Sequence, residues 1–515
     1  MLTVKKDVLK LAIELGGSPD SDEWKALVRG VSFGASEVSI EDVSLSNNVL
    51  ELLQKAAKQI GDRGQSNVFG SLLNMRLNPD SAKVGSVKAL HTGLIDYIRI
   101  NAIDGWLYEH VDGGVAMPWL VREIQFLSAT KERTARVDLM LCANTSETSS
   151  SRGYGSRTIT FTLDDIVRRT LPEALAAKHF VKETPELKSE YMRQVELFWE
   201  YQPMFGKQFS AERNAYKVKV VNDEEILKRK FTPEVSNWFW ANMGIETFSE
   251  LPMHCVVYAF DMVRHCHVWV HVDKMQPYQY DSSLKDKLVL PVEHRDLVDI
   301  LATDMDVLLD DIVEGKSGGT TILCKGSPGL GKTLTAEVYS EVVERPLYRV
   351  HSGQLGTSSA SVEKNLKEIL DRSSRWGAVM LIDEADVYIR KRGNDLDHNA
   401  VVASFLRTLE YFDGLLFMTT NRSEDIDDAI LSRCIAMIKF ETPSPVDAKR
   451  IWRVLSDQFS LDIKDSLIDE LVAHFNTASG RDIKELLKLT SKFCRRKEIP
   501  LNFESFRQCA QFKGL

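Results

Sequence analysis

The sequence has little cysteine and lacks any long apolar run. Its seven cysteines are odd in number and scattered, which argues against a disulfide framework and favours a reducing compartment. A membrane helix needs ~18 consecutive apolar residues, and the chain has no such run. Charged residues interrupt the apolar pattern at the N-terminus, which is atypical of a signal peptide. The sequence therefore predicts a cytoplasmic protein without a membrane partner.

An excess of positive charge is also missing. The formal net charge is −9, which does not favour a nucleic-acid-binding protein, although a local basic patch is compatible with it. Hydrophobic residues make up 43% of the chain and charged residues 27%, the composition of an ordinary globular protein. A chain of 515 residues is long enough for several domains, each with its own core.

The first half of the chain changes from helical to strand-like patterns. Apolar residues recur at helical spacing at first, and alternating apolar and polar residues follow. These patterns predict a mainly helical N-terminal region at 1–104 and a mixed α+β recognition region at 105–287 with a small antiparallel β domain. The predicted elements are strands at 120–126, 136–141, 158–163 and 216–221, a helical stretch at 163–201 and a hairpin at 254–273.

The predicted hairpin is rich in residue types that bind metals. On a strand, His265 and His267 share one face while Cys266 points to the other. The spacing matches no standard zinc or copper template, so a sheet surface with several histidines explains the cluster at least as well as a metal site. The candidate ligands are His254, Cys255, His265, Cys266, His267 and His271.

A glycine-rich motif, G-x-x-x-x-G-K-T, lies between a short apolar run and a helical pattern. Strand, glycine loop and helix are the context of a phosphate-binding loop, because loop N–H groups and the helix dipole both attract an anion. Lys332 would reach the β- and γ-phosphates and Thr333 would hold Mg²⁺. The predicted nucleotide contacts are Gly326, Ser327, Pro328, Gly329, Leu330, Gly331, Lys332, Thr333 and Leu334.

A second motif is the apolar stretch 378–382, which ends in the acidic pair Asp383 and Glu384. This pattern is typical of a buried strand that ends at a phosphate site. Asp383 would hold Mg²⁺ through water, and Glu384 would be the base that polarises the attacking water. The acidic pair alone is a common pattern, but its position one helix after the glycine-rich loop makes the prediction far less ambiguous.

Two further candidates follow a third apolar strand. Asn421 ends that strand, where it would orient the attacking water or sense the γ-phosphate; the alternative is an ordinary turn residue. Arg433 ends a short predicted helix in the segment 425–433. As an arginine finger it would reach the γ-phosphate of a neighbouring subunit, and the alternative is an arginine that complements the helix dipole.

The order of these motifs resembles that of the AAA family of ATPases. The resemblance covers about residues 288–515 and implies an α/β P-loop nucleotide-binding domain at 288–442, with a helical lid at 443–515. It also implies ATP and Mg²⁺ as cofactors and a homohexameric ring as the assembly. The matching segments are 383–393 for the Walker B segment and the helix beyond it, 420–422 for sensor 1, 425–433 for the second region of homology and 479–483 for the start of the lid helix.

The sequence departs from the family pattern in two places. Gly480 is followed by Arg481 where the family usually has alanine, and this cation is expected to contact the nucleotide as the sensor-2 arginine does in other branches. The stretch that matches the central pore loop, 352–361, has no aromatic residue, so aromatic threading of an unfolded chain is not expected. The mitochondrial branch that moves a folded protein is similar in this respect, but its membrane anchor is not expected here.

The resemblance implies ATP-driven remodelling or translocation of a macromolecular client, with protein as the favoured client. One alternative is a nucleic-acid remodeller or loader, with the basic residues Arg390, Lys391 and Arg392 at the pore. The other is an assembly scaffold in which bound nucleotide controls ring formation. The sequence does not identify the client.

Overall fold

The computed structural model describes most of the chain. The described residues are 2–18, 21–22, 24–25, 27–28, 37–40, 45–78, 80–111, 115–131, 133–146, 153–213, 216–303, 319–410, 412–422 and 424–514. The chain forms two compact units. The first consists of Met1–Pro203, Glu224–Val257 and Trp269–Asp273, and the second of Met204–Asp223, Tyr258–Val268 and Lys274–Leu515.

Helices predominate in the described residues of the N-terminal region of the first unit, as the apolar spacing predicts. Three of them start at side chains that accept a hydrogen bond from a backbone N–H of the first turn, namely Ser46, Asp62 and Ser86. The elements are the antiparallel strands β1 (Leu2–Lys5) and β2 (Glu37–Ile40) and the helices α1 (Lys6–Glu14), α2 (Asn47–Ile60), α3 (Arg63–Leu77) and α4 (Val87–Asn101).

A five-stranded antiparallel sheet follows in the first unit. Its strands are β3 (Trp106–Val111), β4 (Val115–Leu127), β5 (Arg136–Ala143), β6 (Gly155–Phe161) and β7 (Phe180–Lys182), in the order β6-β5-β4-β3-β7. The fully buried Leu139 pairs with Ile159 of the neighbouring strand, so the apolar face of the alternating pattern lies in the core. The small antiparallel sheet predicted from the sequence is therefore present.

The predicted helical stretch at 163–201 was wrong in one respect, because β7 interrupts it. The side chain of Thr162 and that of Asp165 form a capping box, which ends the preceding strand and starts a helix. The helices are α5 (Leu163–Ile166), α6 (Leu171–Ala176) and α7 (Pro185–Tyr201). This unit also contains a 3₁₀ helix at Glu224–Leu227 and the helix α8 (Trp238–Ala241).

A second antiparallel sheet consists largely of residues of the second unit. Its strands are β8 (Gln208–Arg213), β9 (Tyr216–Asn222), β10 (Val256–Asp261), β11 (Cys266–His271) and β12 (Met275–Pro277), in the order β11-β10-β9-β8-β12. The hairpin predicted at 254–273 is thus confirmed as β10 and β11. Phe260 of β10 packs against Tyr348 and Trp376 in one buried cluster of the second unit.

The C-terminal half of the chain contains a five-stranded parallel sheet. Its strands are β13 (Thr320–Gly326), β14 (Leu347–His351), β15 (Val379–Asp383), β16 (Leu415–Thr420) and β17 (Ala436–Phe440), in the order β14-β15-β16-β13-β17. The accompanying helices are α9 (Leu284–Lys287), α10 (Val292–Thr303), α11 (Lys332–Val342), α12 (Ser352–Leu355), α13 (Ser359–Trp376), α14 (Asp386–Ile389), α15 (Leu396–Leu409) and α16 (Asp428–Leu431).

Successive side chains of the central strands supply two separate cores. Val379 and Leu381 join the cluster that contains residues of α11, whereas Met380 and Ile382 join the cluster that contains residues of α13 and α15. Helices therefore cover both faces of the sheet, which is why its strands are continuously apolar. The carboxyl ends of these parallel strands meet at one edge, where α/β proteins bind their ligands.

Four helices follow the parallel sheet, as predicted for the lid: α17 (Pro445–Gln458), α18 (Asp465–His474), α19 (Gly480–Lys497) and α20 (Phe503–Ala510). They share a core that includes the fully buried Trp452, Leu486 and Phe506. Across the described parts of the chain, no helix has both the length and the apolarity that crossing a membrane requires.

Candidate nucleotide site

The glycine-rich loop connects β13 to α11. Gly326 has a φ of 150°, and a Cβ there would lie 2.3 Å from the carbonyl oxygen of Phe440. Gly329 has a φ of 84°, and its Cβ would lie 2.9 Å from the Cβ of Arg481. Both positions need glycine, because a side chain would be strained and would clash with the neighbouring segment. Residues 328–334 line the adjoining cleft.

Lys332 is a nearly buried cation at the start of α11. Its Nζ donates hydrogen bonds to the carbonyl oxygens of Gly326 and Ser327, at 2.7 and 2.8 Å. It also donates to Oδ1 of Asn421 at 2.9 Å. Burial lowers the pKa of the ammonium group, while the nearby Asp383 carboxylate opposes this shift. The geometry holds a poorly hydrated positive charge beside the loop, where an anionic phosphate would stabilise it.

Asp383 ends β15 and is the centre of a polar network. Its Oδ1 accepts hydrogen bonds from the hydroxyls of Thr333, at 3.0 Å, and Thr419, at 2.6 Å. Its Oδ2 accepts from Arg349 at 2.6 Å. Burial would raise the pKa of this carboxyl, but the Thr419 hydrogen bond and the Arg349 charge lower it below its usual value. The carboxylate is therefore ionised and able to attract a cation.

Glu384 lines the cleft beside Asp383 and has an unusual backbone. Its φ is 56°, in the left-handed region that a non-glycine residue adopts only at an energetic cost. The backbone N–H of Glu384 donates to the hydroxyl of Thr419 at 3.0 Å, which helps to hold this conformation. Thr419 thus connects the Asp383 carboxylate to the backbone of Glu384 through one hydroxyl.

Asn421 follows β16 and also lines the cleft. Its backbone N–H donates to Oδ1 of Asp386 at 3.2 Å, and the same oxygen accepts from the hydroxyl of Thr420. Asp386 lies three residues after Asp383, so the acidic segment positions the end of the neighbouring strand. The structure thus brings Asn421, Lys332 and the acidic pair together, as the sequence predicts.

The cleft has a volume of about 1750 Å³ and is lined by the carboxyl ends of the strands, by α11 and by the lid. One part of its wall is apolar, while the loop, the acidic pair and several lysines supply the polar part. An apolar wall beside a phosphate site is suited to a nucleotide base. The apolar lining residues, none of which was predicted as a nucleotide contact, include Leu288, Val289, Leu290, Pro291, Val338, Ile451 and Leu455.

The lid reaches the cleft through the N-terminus of α19. Ser479 caps this helix, accepting a hydrogen bond from the backbone N–H of Asp482 at 3.2 Å. The backbone N–H of Arg481 donates to the carbonyl oxygen of Gly329 at 3.2 Å. Gly480 and Arg481 both line the cleft, as predicted, so the lid directly contacts the glycine-rich loop.

Arg433 lies apart from the cleft of its own chain. Its Nη1 donates to the carbonyl oxygen of Ala429 at 3.2 Å, and its Nη2 lies 3.6 Å from Oε2 of Glu410. The side chain is 36% exposed, and Arg433 is not among the described residues that line the cleft. The structure therefore does not bring Arg433 to the other candidate residues within one subunit.

Two of the three basic residues after the acidic motif have acidic partners. Nε of Arg390 lies 3.5 Å from Oδ2 of Asp425, and Nε of Arg392 donates to Oδ2 of Asp427 at 2.8 Å. The Arg392 hydrogen bond holds the pKa of the Asp427 carboxyl below its usual value. These pairs offset positive charge that the nucleic-acid hypothesis requires.

The segment that matches the pore loop is attached to the acidic motif. The hydroxyl of Tyr388 lies 2.6 Å from the carbonyl oxygen of Ser352 and 2.8 Å from that of Gly356. Tyr388 itself is only 2% exposed. The start of the loop is therefore held by a buried side chain that lies four residues after Glu384.

The histidines of the hairpin region have other contacts. His254 Nε2 lies 3.1 Å from the carbonyl oxygen of Pro118, and His267 Nε2 lies 2.8 Å from Oδ2 of Asp223. Cys266 is exposed. In the described ranges, no three histidine, cysteine, aspartate or glutamate residues come together in a group that could hold a metal ion.

Three contributors to the site were missed from the sequence. Thr419 and Asp386 organise the acidic pair and Asn421, and Arg349 contacts Asp383 from β14. A signal existed for Arg349, because it is a charged residue between the hydrophobic residues Tyr348 and Val350 of a strand. Thr419 and Asp386 carry no comparable signal, since threonine in a strand and an acid after one are common.

Strand, glycine-rich loop, helix and acidic strand end together define a P-loop nucleoside triphosphatase domain. The residues present fit a magnesium nucleotide. The Thr333 hydroxyl and the ionised Asp383 carboxylate are hard oxygen ligands that lie 3.0 Å apart. Glycines keep the loop free of side chains, and Lys332 supplies a positive charge beside it.

Comparison with protein families specifies the class further. Residues 322–442 match the model of the ATPase family associated with various cellular activities, abbreviated AAA. The chain therefore carries an AAA ATPase domain, formed by the parallel sheet and its flanking helices. The resemblance inferred from the order of motifs is confirmed.

Individual relatives are similar over part of their length. A 26S proteasome regulatory subunit homolog of Methanothermobacter marburgensis is 30% identical over 179 residues, 33% of this chain and 48% of that protein. The ATP-dependent zinc metalloprotease FtsH of Ureaplasma parvum is 29% identical over 158 residues, 29% of this chain and 22% of that protein. The chain thus spans about half the length of the first relative and less of the second.

A third relative, ATPase family AAA domain-containing protein 3A of Homo sapiens, is 27% identical over 165 residues, 31% of this chain and 28% of that protein. Among solved structures, the FIGL-1 AAA domain in complex with ADP is similar at a TM-score of 0.36. Its sequence identity is 18%, and the alignment covers 44% of this chain and 82% of that chain.

Proposed function

We propose that this chain binds ATP with Mg²⁺ and hydrolyses it to ADP and phosphate, and that hydrolysis drives the remodelling or translocation of a macromolecular client. The observation that carries the proposal is the convergence of Lys332, Thr333, Asp383 and Asn421 at one edge of the parallel sheet. Hydrogen bonds join Lys332 to Asn421 at 2.9 Å and Thr333 to Asp383 at 3.0 Å, and Thr419 donates to the same Asp383 oxygen at 2.6 Å. Each of these side chains also carries the functional group that its proposed role requires.

The phosphates are expected to bind over the loop, where the α11 N-terminus and Lys332 attract negative charge. Thr333 and Asp383 would hold Mg²⁺, which when bound would neutralise phosphate charge. Nucleotide oxygens would then replace the carbonyl groups that Lys332 contacts. Gly480 and Arg481 of the lid would close on the same phosphates.

Glu384 is the proposed general base, and Asn421 would orient the attacking water. The left-handed backbone of Glu384 is a strained conformation of the kind found at functional sites. A general base contributes roughly 10²- to 10⁴-fold to a reaction rate. Replacing Glu384 with glutamine is therefore expected to permit binding and to prevent most hydrolysis.

Arg433 is the proposed arginine finger of a homohexameric ring. It is partly exposed and does not line its own cleft, which is the placement required for a residue that acts on a neighbouring subunit. An arginine finger raises kcat by roughly 10³- to 10⁵-fold in other nucleotide hydrolases. Hydrolysis would then depend on assembly.

Protein is the proposed client class, and residues 1–104 and 105–287 are the proposed recognition regions. Two observations support a protein client over a nucleic acid. The basic residues Arg390 and Arg392 are paired with aspartates. The names of two relatives, a proteasome regulatory subunit homolog and an ATP-dependent metalloprotease, refer to machines that act on proteins.

Phosphate release by the purified chain tests the ATPase proposal. Lys332→Ala should abolish nucleotide binding and phosphate release, because the loop would lose its buried cation. Lys364→Ala is a matched control, since Lys364 is an exposed lysine of α13 that does not line the cleft. Equal phosphate release by wild type and Lys332→Ala, over a range of protein concentrations, would contradict the proposal.

A further inference from the structure

Arg349 contacts the Asp383 carboxylate from a neighbouring strand. It lies in β14, where the alternating neighbours Tyr348 and Val350 point into one core. The Arg349 side chain therefore lies on the opposite face of the sheet, beside α11. Its Nη2 donates to Oδ2 of Asp383 at 2.6 Å. The positive charge of the guanidinium therefore lies beside the carboxylate that is proposed to hold Mg²⁺.

A second carboxylate lies within reach of the same guanidinium. Nη1 of Arg349 is 3.6 Å from Oε1 of Glu337, which lies one helical turn after Thr333 on α11. Burial raises the pKa of the Glu337 carboxyl, with the Arg349 charge opposing that shift. Nε of Arg349 is buried without a hydrogen-bond partner among the described residues. Arg349 thus has one short contact to Asp383, one longer contact to Glu337 and an unused donor.

Mg²⁺ and the Arg349 guanidinium are both cations, and both are attracted to the Asp383 carboxylate. A dication held by Thr333 and Asp383 would lie within a few ångströms of the guanidinium, and like charges at that distance repel each other appreciably even in a partly hydrated cleft. The side chain of Arg349 is 40% exposed, so it is able to move. Glu337, at 3.6 Å from Nη1, offers it an alternative partner.

We propose that Arg349 competes with Mg²⁺ for Asp383 and moves to Glu337 when the metal binds. Arg349 is thus a positioning residue that acts through Asp383 and sets the Mg²⁺ concentration at which nucleotide binds. The inference rests on the proposed ATPase function. Neutral substitutions at Arg349 and at Glu337 are expected to have opposite effects. Removing the Arg349 charge should favour Mg²⁺ binding, and removing the Glu337 carboxylate, its alternative partner, should disfavour Mg²⁺ binding.

The test is a Mg²⁺ titration of binding, with a fluorescent non-hydrolysable ATP analogue as the probe. For Arg349→Gln, the half-saturating Mg²⁺ concentration should fall about fivefold, a value that allows for partial exposure. For Glu337→Gln it should rise about threefold. Arg349→Lys keeps the charge and should stay close to wild type. Arg407→Gln is the matched control, because Arg407 forms an exposed ion pair with Glu363 elsewhere in the domain.

An unchanged or higher Mg²⁺ requirement in Arg349→Gln would overturn the inference. So would a loss of analogue affinity in EDTA for that variant, because Arg349 would then bind the phosphates directly. In both of these results the wild-type chain still binds the analogue, and the proposed function stands. If the wild-type chain binds no analogue at any Mg²⁺ concentration, the proposed function fails and the inference fails with it.

Discussion

Lys332 Nζ donates a hydrogen bond of 2.9 Å to the side-chain oxygen of Asn421, which lies 89 residues further along the chain. The contact joins the start of α11 to the end of β16. β16 pairs in parallel with β13, the strand that precedes the glycine-rich loop. Because Asp386 fixes the backbone of Asn421, the acidic segment, the loop and the third strand end form one connected network.

Asn421→Ala is expected to lower hydrolysis more than binding. Lys332 would still contact the nucleotide oxygens, so nucleotide affinity should change by less than about threefold. Loss of a group that orients water should lower kcat by roughly 10- to 100-fold. Separate measurements of nucleotide affinity and steady-state phosphate release distinguish the two effects. Asn399→Ala is the control, because Asn399 contacts the backbone of Gly393 and does not line the cleft. A large loss of affinity with unchanged kcat would mean that Asn421 only positions Lys332.

Arg433→Ala is expected to bind ATP normally. If the arginine acts as a finger, this variant should hydrolyse ATP at least about 10³-fold more slowly than wild type. Mixing it with Glu384→Gln should restore part of the phosphate release, because some interfaces in the mixed ring would combine an intact Glu384 with an intact Arg433. Arg407→Ala is the control, since it removes an exposed arginine from the same domain. If the mixture is as inactive as its components while each variant still assembles, Arg433 does not act on a neighbouring subunit.

Asp223→Ala is expected to destabilise the second unit. The Asp223 carboxylate accepts hydrogen bonds from Trp376 Nε1 at 2.8 Å and from Arg375 at 3.1 Å, and it contacts His267. Burial would raise the pKa of Asp223, but these partners lower it. Removing the carboxylate leaves those donors without their acceptor, which should lower the free energy of unfolding by about 2–3 kcal/mol.

Urea unfolding and hydrogen exchange of α13 measure this effect. Glu363→Ala is the control, because an exposed ion pair contributes less than about 1 kcal/mol. Asp223→Asn keeps one acceptor oxygen and should lose less stability than Asp223→Ala. Equal stability of Asp223→Ala and the control would show that the partners find water or other acceptors.

The first unit is expected to lose stability as the pH falls below neutral. Burial lowers the pKa of His254 to about 4 from an ordinary value of 6.5, and the charges of His271 and Arg157 add to this shift. Because the folded-state pKa is depressed, the neutral form is favoured in the fold. The stability contribution is therefore fully present above about pH 6.5 and is lost as the pH falls towards 4, with roughly 2 kcal/mol lost at pH 5.

His254→Gln should make stability less dependent on pH. Glutamine can still donate to the carbonyl oxygen of Pro118, and it has no proton to bind in this range. The measurement is urea unfolding at pH 7 and pH 5, with His110→Gln, an exposed residue of β3, as the control. Burial also lowers the pKa of His91 to about 4, so part of the dependence should persist. An identical pH dependence in wild type and His254→Gln would contradict the prediction.

Local patterns were sufficient to predict the AAA domain. The glycine-rich loop, the acidic pair and Asn421 each follow an apolar strand, and side chains at the ends of parallel strands meet at one edge whatever the rest of the chain does. The lid helices and the antiparallel sheet of the first unit follow from apolar periods of 3.6 and 2. Prediction was weaker at 163–201, because the short strand β7 is defined by its pairing with β3 and not by its own composition.

The sequence by itself determined the class of the nucleotide site, since the loop and its glycines act through backbone geometry that neighbouring residues control. Only the tertiary structure decided which distant side chains complete the site. Thr419, Asp386 and Arg349 come from three different segments, and pairing between strands remote in sequence leaves no local pattern. The same reason explains why β9, β10 and β11 could be predicted as strands, while β8, β12 and the sheet that the five strands form could not.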